Sequence, residues 1–216
     1  ALGYDEPGFT GKATVGSYGE RRLFLAYHPA ERSAASFGAV ELQSTDGFGP
    51  ARAASRLSAI AQHELPLGPG ALRLLVSGYA GRFDSPGVVR LAEVESHRLG
   101  RFDTYGVNQG GFSSRLQLVA EYGVSTETSR WSLVPYVVVR DLRLKQNYTG
   151  YLQRPIDGDT TQQTNEALTL GFTTRYRRTF QWFSDSDHLE LGTSLRNDGV
   201  TQSQVSLGSV DGRVLD

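Results

Sequence analysis

The chain of 216 residues contains no cysteine and no methionine. Without cysteine there are no disulfides, no thiol nucleophile and no cysteine-ligated metal centre. The missing initiator methionine leads us to expect a processed or truncated chain. Lysine is nearly absent too: Lys12 and Lys145 stand against arginine at every other basic position, which we read as coding bias. No excess of one charge exists either. The formal net charge is −1, with 22 basic and 23 acidic residues, so the electrostatic footprint of a nucleic-acid partner is lacking. The N-terminus ALGYDEPGF has neither the basic nor the apolar region of a signal peptide. No apolar run reaches the ~18 residues of a membrane helix, which excludes helical spans but not barrel strands of ~9–11 alternating residues.

What the sequence does have is alternation. In NEALTLGFTTRYRRTF (165–180), Leu168, Leu170, Phe172 and Tyr176 occupy one phase, and Ala167, Thr169, Gly171, Thr173, Arg175 and Arg177 the other. Successive strand side chains point to opposite faces, so this segment has one apolar and one basic face. The same period recurs over 11–18, 21–28, 36–45, 55–65, 71–83, 113–123, 131–147 and 188–196. The expectation is an all-β antiparallel meander of about nine long strands. A short helix is expected over 88–99, VVRLAEVESHRL, inside a long loop. Residues 66–70, 125–130 and 181–187 are short connections, whereas 84–112 and 148–163 are long and rich in Gly, Asp, Thr and aromatics. No linker or charge block divides the chain, so residues 1–216 read as one unit.

Two architectures fit this pattern. A soluble sandwich or lipocalin-like carrier encloses the leucine phase, and a membrane barrel turns it toward lipid around an aqueous interior. Long charged side chains on successive polar phases favour the barrel. So do aromatics near strand ends (Tyr27, Tyr79, Phe83, Tyr122, Trp131, Tyr148, Tyr176 and Trp182), which suggest interfacial girdles. Single-chain bacterial barrels normally close with an even strand number. Nine strands, and a last stretch GSVDGRVLD without an aromatic-ended closing strand, lead us to expect part of a larger barrel.

The segments VGSYGERRLFLAYH (15–28), ELQSTDGFGPARAASRLSAIAQHEL (41–65), RLLVSGYAGRFDSPGVVRLAEVESHRL (73–99), QNYTGYL (146–152) and DTTQQTNEALTLGFTTRYRR (159–178) resemble the early barrel of TonB-dependent outer-membrane receptors. The resemblance implies a wall segment covering roughly the first nine strands, in a barrel of about 22 strands filled by a plug. It further implies residence in the outer-membrane bilayer and uptake of a scarce small molecule such as a ferric siderophore, cobalamin or an oligosaccharide. Energy would come from the TonB complex acting through the plug. A recognisable plug, TonB box and closing strand have no counterpart in the sequence.

Catalytic signatures are missing. His28, His63, His97 and His188 are scattered, with no two-histidine ligand spacing. No GxSxG stretch exists. Asp157 and Asp159, or Asp185 and Asp187, do not continue as a calcium loop. The sequon Asn147-Tyr148-Thr149 is assigned no role. We therefore expect no enzyme, no metal and no cofactor. The residues chosen for ligand contact are Arg82, Phe83, Asp84, Arg98, Arg101, Asp103 and Tyr105, joined by Tyr148 and Tyr151 of the next long loop. Aromatics and guanidinium groups at a barrel mouth can stack on and pair with an anionic ligand, including a metal chelate. The same residues would equally serve as a solvated loop whose charges balance locally.

Overall fold

A computed structural model describes residues 7–29, 36–106, 108–184 and 187–207; Asp185 and GSVDGRVLD from Gly208 onward lie outside them. Nine strands, β1 (Gly8–Val15), β2 (Arg21–His28), β3 (Phe37–Thr45), β4 (Ala54–Leu67), β5 (Gly70–Asp84), β6 (Gly110–Ser125), β7 (Ser129–Gln146), β8 (Thr161–Phe180) and β9 (Asp187–Ser206), form a single sheet in chain order. Every neighbouring pair is antiparallel. The helix α1 (Leu91–Glu95) lies in the β5–β6 connection.

Because the chain meanders, its connections sort to two ends of the sheet. At one end, which we call the turn end, β2, β4, β6 and β8 finish and β3, β5, β7 and β9 begin. At the other, the loop end, lie 16–20, 46–53, 85–109 and 147–160. The strict alternation of short and long connections holds from β4 onward.

The register fixes the two faces. Leu168 stands opposite Val139, which continues through Leu116, Gly78, Ala59 and Val40 to Leu25. The apolar phases of the strands thus join into one continuous face. On the opposite face the register aligns Arg22, Gln43 and Arg56, and likewise Glu64, Arg73 and Glu121. Burial is distributed the reverse of what a soluble core requires. Leu168 and Leu170 are 45% and 48% exposed, while Val138, Ala167 and Thr169, on the charged face, are 7%, 5% and 4% exposed. Val138 and Ala167 are the only buried hydrophobic residues among those described.

The apolar face is bounded on both sides. Along β7 it runs from Trp131 to Val139, a rise of about 26 Å at ~3.3 Å per residue. The next residues of the same phase are Asp141, opposite Glu166, and Arg143, which pairs with both at 3.3 and 3.8 Å. At the turn end the boundary is aromatic. Trp131 stands opposite Tyr176 and packs edge-on against Tyr122, with centroids 6.0 Å apart; Phe9 stands opposite Tyr27. This line is oblique to the hydrogen-bonded rows. The row of Tyr122 meets β8 at Thr174, two residues from Tyr176, and the row of Tyr27 meets it at Leu170, six residues away. Six residues at ~3.3 Å, over six strand steps of ~4.8 Å, give an angle of about 35°. Strands in outer-membrane barrels cross the bilayer at ~35–45°.

Several sequence expectations shift. β1 sits three residues earlier than 11–18, because Tyr18 (φ 58°) and Gly19 (φ 68°) form a tight turn closed by Gly16 N–H donating to the Glu20 carbonyl at 3.0 Å. The helix spans five residues instead of 88–99. Arg90 offers no side-chain cap, no residue of the turn is buried, and His97 at φ 59° ends the path. β9 continues ten residues beyond 196: its polar sequence to Ser206 stays extended because β8 offers a full ladder of backbone partners. Tyr79 and Phe83 do not belong to the aromatic line. Register puts both on the charged face, where the Tyr79 hydroxyl lies 3.1 Å from Ser113 Oγ.

Candidate functional site

Two features of the sheet carry chemistry, the packed connections of the loop end and the charged face beneath them. At the loop end the 16–20 turn is tied to the next connection by Asp46 N–H donating to the Tyr18 carbonyl at 2.9 Å. Tyr18, Phe48 and Phe102 then stack edge-on in series, with centroids 6.4 and 5.7 Å apart. Arg52 lies 4.8 Å over the Phe48 ring and donates to the Phe102 carbonyl at 2.7 Å. Three connections distant in sequence are thereby joined.

A second cluster joins the two longest connections. The Arg90 guanidinium sits 3.5 Å over the Tyr151 ring and donates to the Pro155 carbonyl at 3.0 Å. Arg90 N–H donates to the Tyr105 hydroxyl at 2.9 Å, and Tyr105 meets Tyr151 edge-on at 5.6 Å. Burial pushes both phenols above their ordinary value of 10, with the nearby Glu93 carboxylate acting in the same direction. Both therefore stay protonated, neutral hydrogen-bonding groups at neutral pH.

Beneath this cluster a buried polar hub holds 147–160 in shape. Asn147, fully buried, donates its N–H to Gln109 Oε1 at 2.9 Å and accepts from Gly150 N–H at 2.7 Å. Asp159, 5% exposed, accepts from Thr149 Oγ1, Gln153 N–H and Arg154 N–H at 2.9, 2.9 and 2.7 Å. Burial works to raise its pKa, but these donors together outweigh it and hold the carboxyl below its ordinary 3.8. The sequon asparagine thus has a structural part as the hinge of this loop.

The residues chosen from sequence are dispersed among these features. Tyr105 and Tyr151 are brought together. Arg98 pairs with Glu93 at 3.4 Å, and Asp103 accepts from Gly100 N–H at 2.6 Å, both within their own loop. Arg101 and Tyr148 are exposed to solvent. Phe83 faces the charged side, whereas Arg82 and Asp84 share the phase of the apolar face just beyond its boundary. Sequence reasoning missed Arg90, the residue that locks Tyr151, because its contact depends on the approach of a distant loop that no spacing encodes. It missed Arg52 and Phe48 because their connection is short.

On the charged face, Glu41 accepts from Arg22 and from Arg56, the latter at 2.7 Å. Arg73 bridges Glu64 and Glu121, each at 2.9 Å, and Arg196 pairs with Asp198 at 2.7 Å. These ladders satisfy charge across strands and leave polar cavities of about 510 and 460 Å³ between them. Among the described residues no group of three or more potential metal ligands is gathered.

Neither a protein-family model nor a curated protein sequence matches the chain. Among solved structures it is similar to the ferric citrate transporter FecA in its unliganded form, with a TM-score of 0.67 and 11% identity. The match covers 95% of this chain and 30% of that one, so the chain spans less than a third of the transporter's length. At that identity the likeness shows a shared fold, a barrel-type antiparallel meander.

Proposed function

We propose that this chain is a wall segment of an outer-membrane barrel of the TonB-dependent type, and that the intact protein imports a scarce small molecule such as a ferric siderophore. The observation that carries this reading is the inverted sheet. A continuous leucine and valine face is left half exposed, while small and charged side chains crowd the other. Lipid against that face makes the arrangement favourable, since apolar area gains about 25 cal/mol per Å² on leaving water. The oblique aromatic line supports it further, because aromatic rings settle at headgroup level and here cross the strands at the tilt of a barrel wall.

The clustered loop end fits the mouth at which ligand is captured. There Arg52 and Arg90 hold four connections as one surface, over which Tyr148 and Arg101 stand exposed to meet a ligand. Coupling to TonB would pass through a plug against the charged face. The fold shared with FecA, a transporter, supports uptake over catalysis.

Paired substitutions on β8 test the reading in the intact protein. Leu170→Arg puts a cation on the apolar face, at a cost of ~2–4 kcal/mol near the bilayer midplane. It is expected to abolish assembly into the outer-membrane fraction. Thr173→Arg, on the charged face, is expected to assemble normally. Equal tolerance of both would refute the proposal.

A further inference from the structure

Charge is sorted by face in this chain. The whole sequence carries −1, yet every carboxylate that the register puts on the charged face is taken by an arginine: Glu41, Glu64, Glu121, Glu190 and Asp198. Four further arginines on that face, Arg115, Arg130, Arg140 and Arg177, have no carboxylate within ion-pair distance among the described residues. They stand as two cross-strand pairs, with Arg115 directly opposite Arg140 and Arg130 directly opposite Arg177.

Like charges directly opposite on neighbouring strands are destabilising, and a guanidinium cannot relieve the repulsion by losing its proton. An anion between the two would. Each pair borders a cavity. Arg130 and Arg177 line the 510 Å³ space together with Arg73, Arg175 and the carboxylates Glu64, Glu121 and Glu190 that those two arginines hold, whereas Arg140 and Arg115, the latter donating to Gln117 Oε1 at 2.9 Å, line the 460 Å³ space with Arg196 and Thr169. Both volumes lie in the ~300–1,000 Å³ range of small-molecule sites. Along β7, Arg130 and Arg140 are ten residues apart, about 33 Å at ~3.3 Å per residue, so the two pairs are separate stations.

We infer that the charged face carries two anion-binding stations, Arg130/Arg177 near the turn end and Arg115/Arg140 nearer the middle of the sheet, for a multiply charged small molecule bearing phosphate or carboxylate groups. The planar guanidinium fork matches both groups with two parallel hydrogen bonds, a geometry that neutral solutes and halides do not use. This rests on the reading of the face as the inner side of a barrel wall. It adds to that reading a substrate class, anionic instead of neutral.

The test is calorimetric titration of the intact, purified protein at low salt, with pyrophosphate and with propane-1,2,3-tricarboxylate as probes. Wild type is expected to bind at least one of them. Arg130→Gln/Arg177→Gln and Arg115→Gln/Arg140→Gln should each weaken binding about tenfold or more, as expected for loss of charge-assisted hydrogen bonds. Arg21→Gln, on the apolar phase of β2, should change nothing. Without probe, both double variants should melt at or above the wild-type temperature, because repulsion has been removed. Failure of both probes to bind wild type, or unchanged affinity in both double variants, overturns the inference. So does a lowered melting temperature in both, which would mean that the arginines pair with carboxylates of another protein segment. Membrane fractionation of the same preparations separates the outcomes: a wild type absent from the outer-membrane fraction defeats the barrel reading, whereas a membrane-resident protein indifferent to anions defeats the stations alone.

Discussion

Arg90 illustrates how much of the loop end depends on single side chains. Its backbone meets Tyr105, its guanidinium covers Tyr151 and its tip reaches the Pro155 carbonyl, so one residue fastens 85–109 to 147–160. Arg90→Ala should loosen both loops by about 1–2 kcal/mol, the sum expected of one exposed cation–π contact and one hydrogen bond. Faster hydrogen exchange confined to these two segments would register it. Asp159 gives a pH signature of its own. Its folded carboxyl titrates below the ordinary 3.8, so the stability it lends is present above that value and is lost as pH falls through the depressed one. The amides of Gln153 and Arg154 should therefore lose protection only on strong acidification, and Asp159→Asn should remove that pH dependence. At this scale the sequence was only partly legible. It pointed to aromatics and guanidinium groups in the two long loops, and Tyr105 and Tyr151 do meet. Which arginine would stack on them depended on a long-range approach of two loops that no spacing encodes.

Elements were more legible than residues, because alternation is a local property and register follows from it. Strand phases over 165–180 and 71–83 could be read directly, and once the pairs align, the strand leucines fall on one face except Leu75, Leu142 and Leu144. What alternation could not supply was length. β9 runs on through a polar stretch because neighbouring backbone, not side-chain pattern, keeps it extended. Tyr79 and Phe83 looked like girdle residues because they stand near a strand end, although alternation over 71–83 already puts them in phase with Arg73. Two glycines show where the backbone sets hard limits. Gly19 takes φ 68°, and a Cβ there would collide with the Asp46 carboxylate. Gly171 lies beneath the Tyr136 ring and has no room for a side chain. Gly19→Ala should therefore disturb the 16–20 and 46–53 connections while leaving the strands intact. Gly171→Val should destabilise the β7–β8 ladder itself. Comparison of local exchange with global melting for the two variants distinguishes the effects.

For the molecule as a whole, the absence of an apolar core among the described residues is the informative fact. A sheet of nine strands with two ladder edges, β1 and β9, and with its leucines half exposed has no stable arrangement alone in water. On the proposed reading, further strands at the edges and lipid against the leucines would together supply what is missing. The central claim is therefore about which solvent each face meets. The absence of cysteine makes that directly measurable, since each introduced thiol is the only one in this chain. Single cysteines placed at Leu168, Leu170, Phe172, Thr173 and Arg175 of the intact protein in native membranes can be probed with a water-soluble maleimide. A fluorophore on the same thiols can be probed with a lipid-borne nitroxide quencher. A two-residue alternation is predicted, with Thr173 and Arg175 labelled from water, and Leu168, Leu170 and Phe172 refractory to the maleimide and quenched from lipid. Uniform aqueous labelling along β8, or leucine positions shielded from water and lipid alike, would contradict the account.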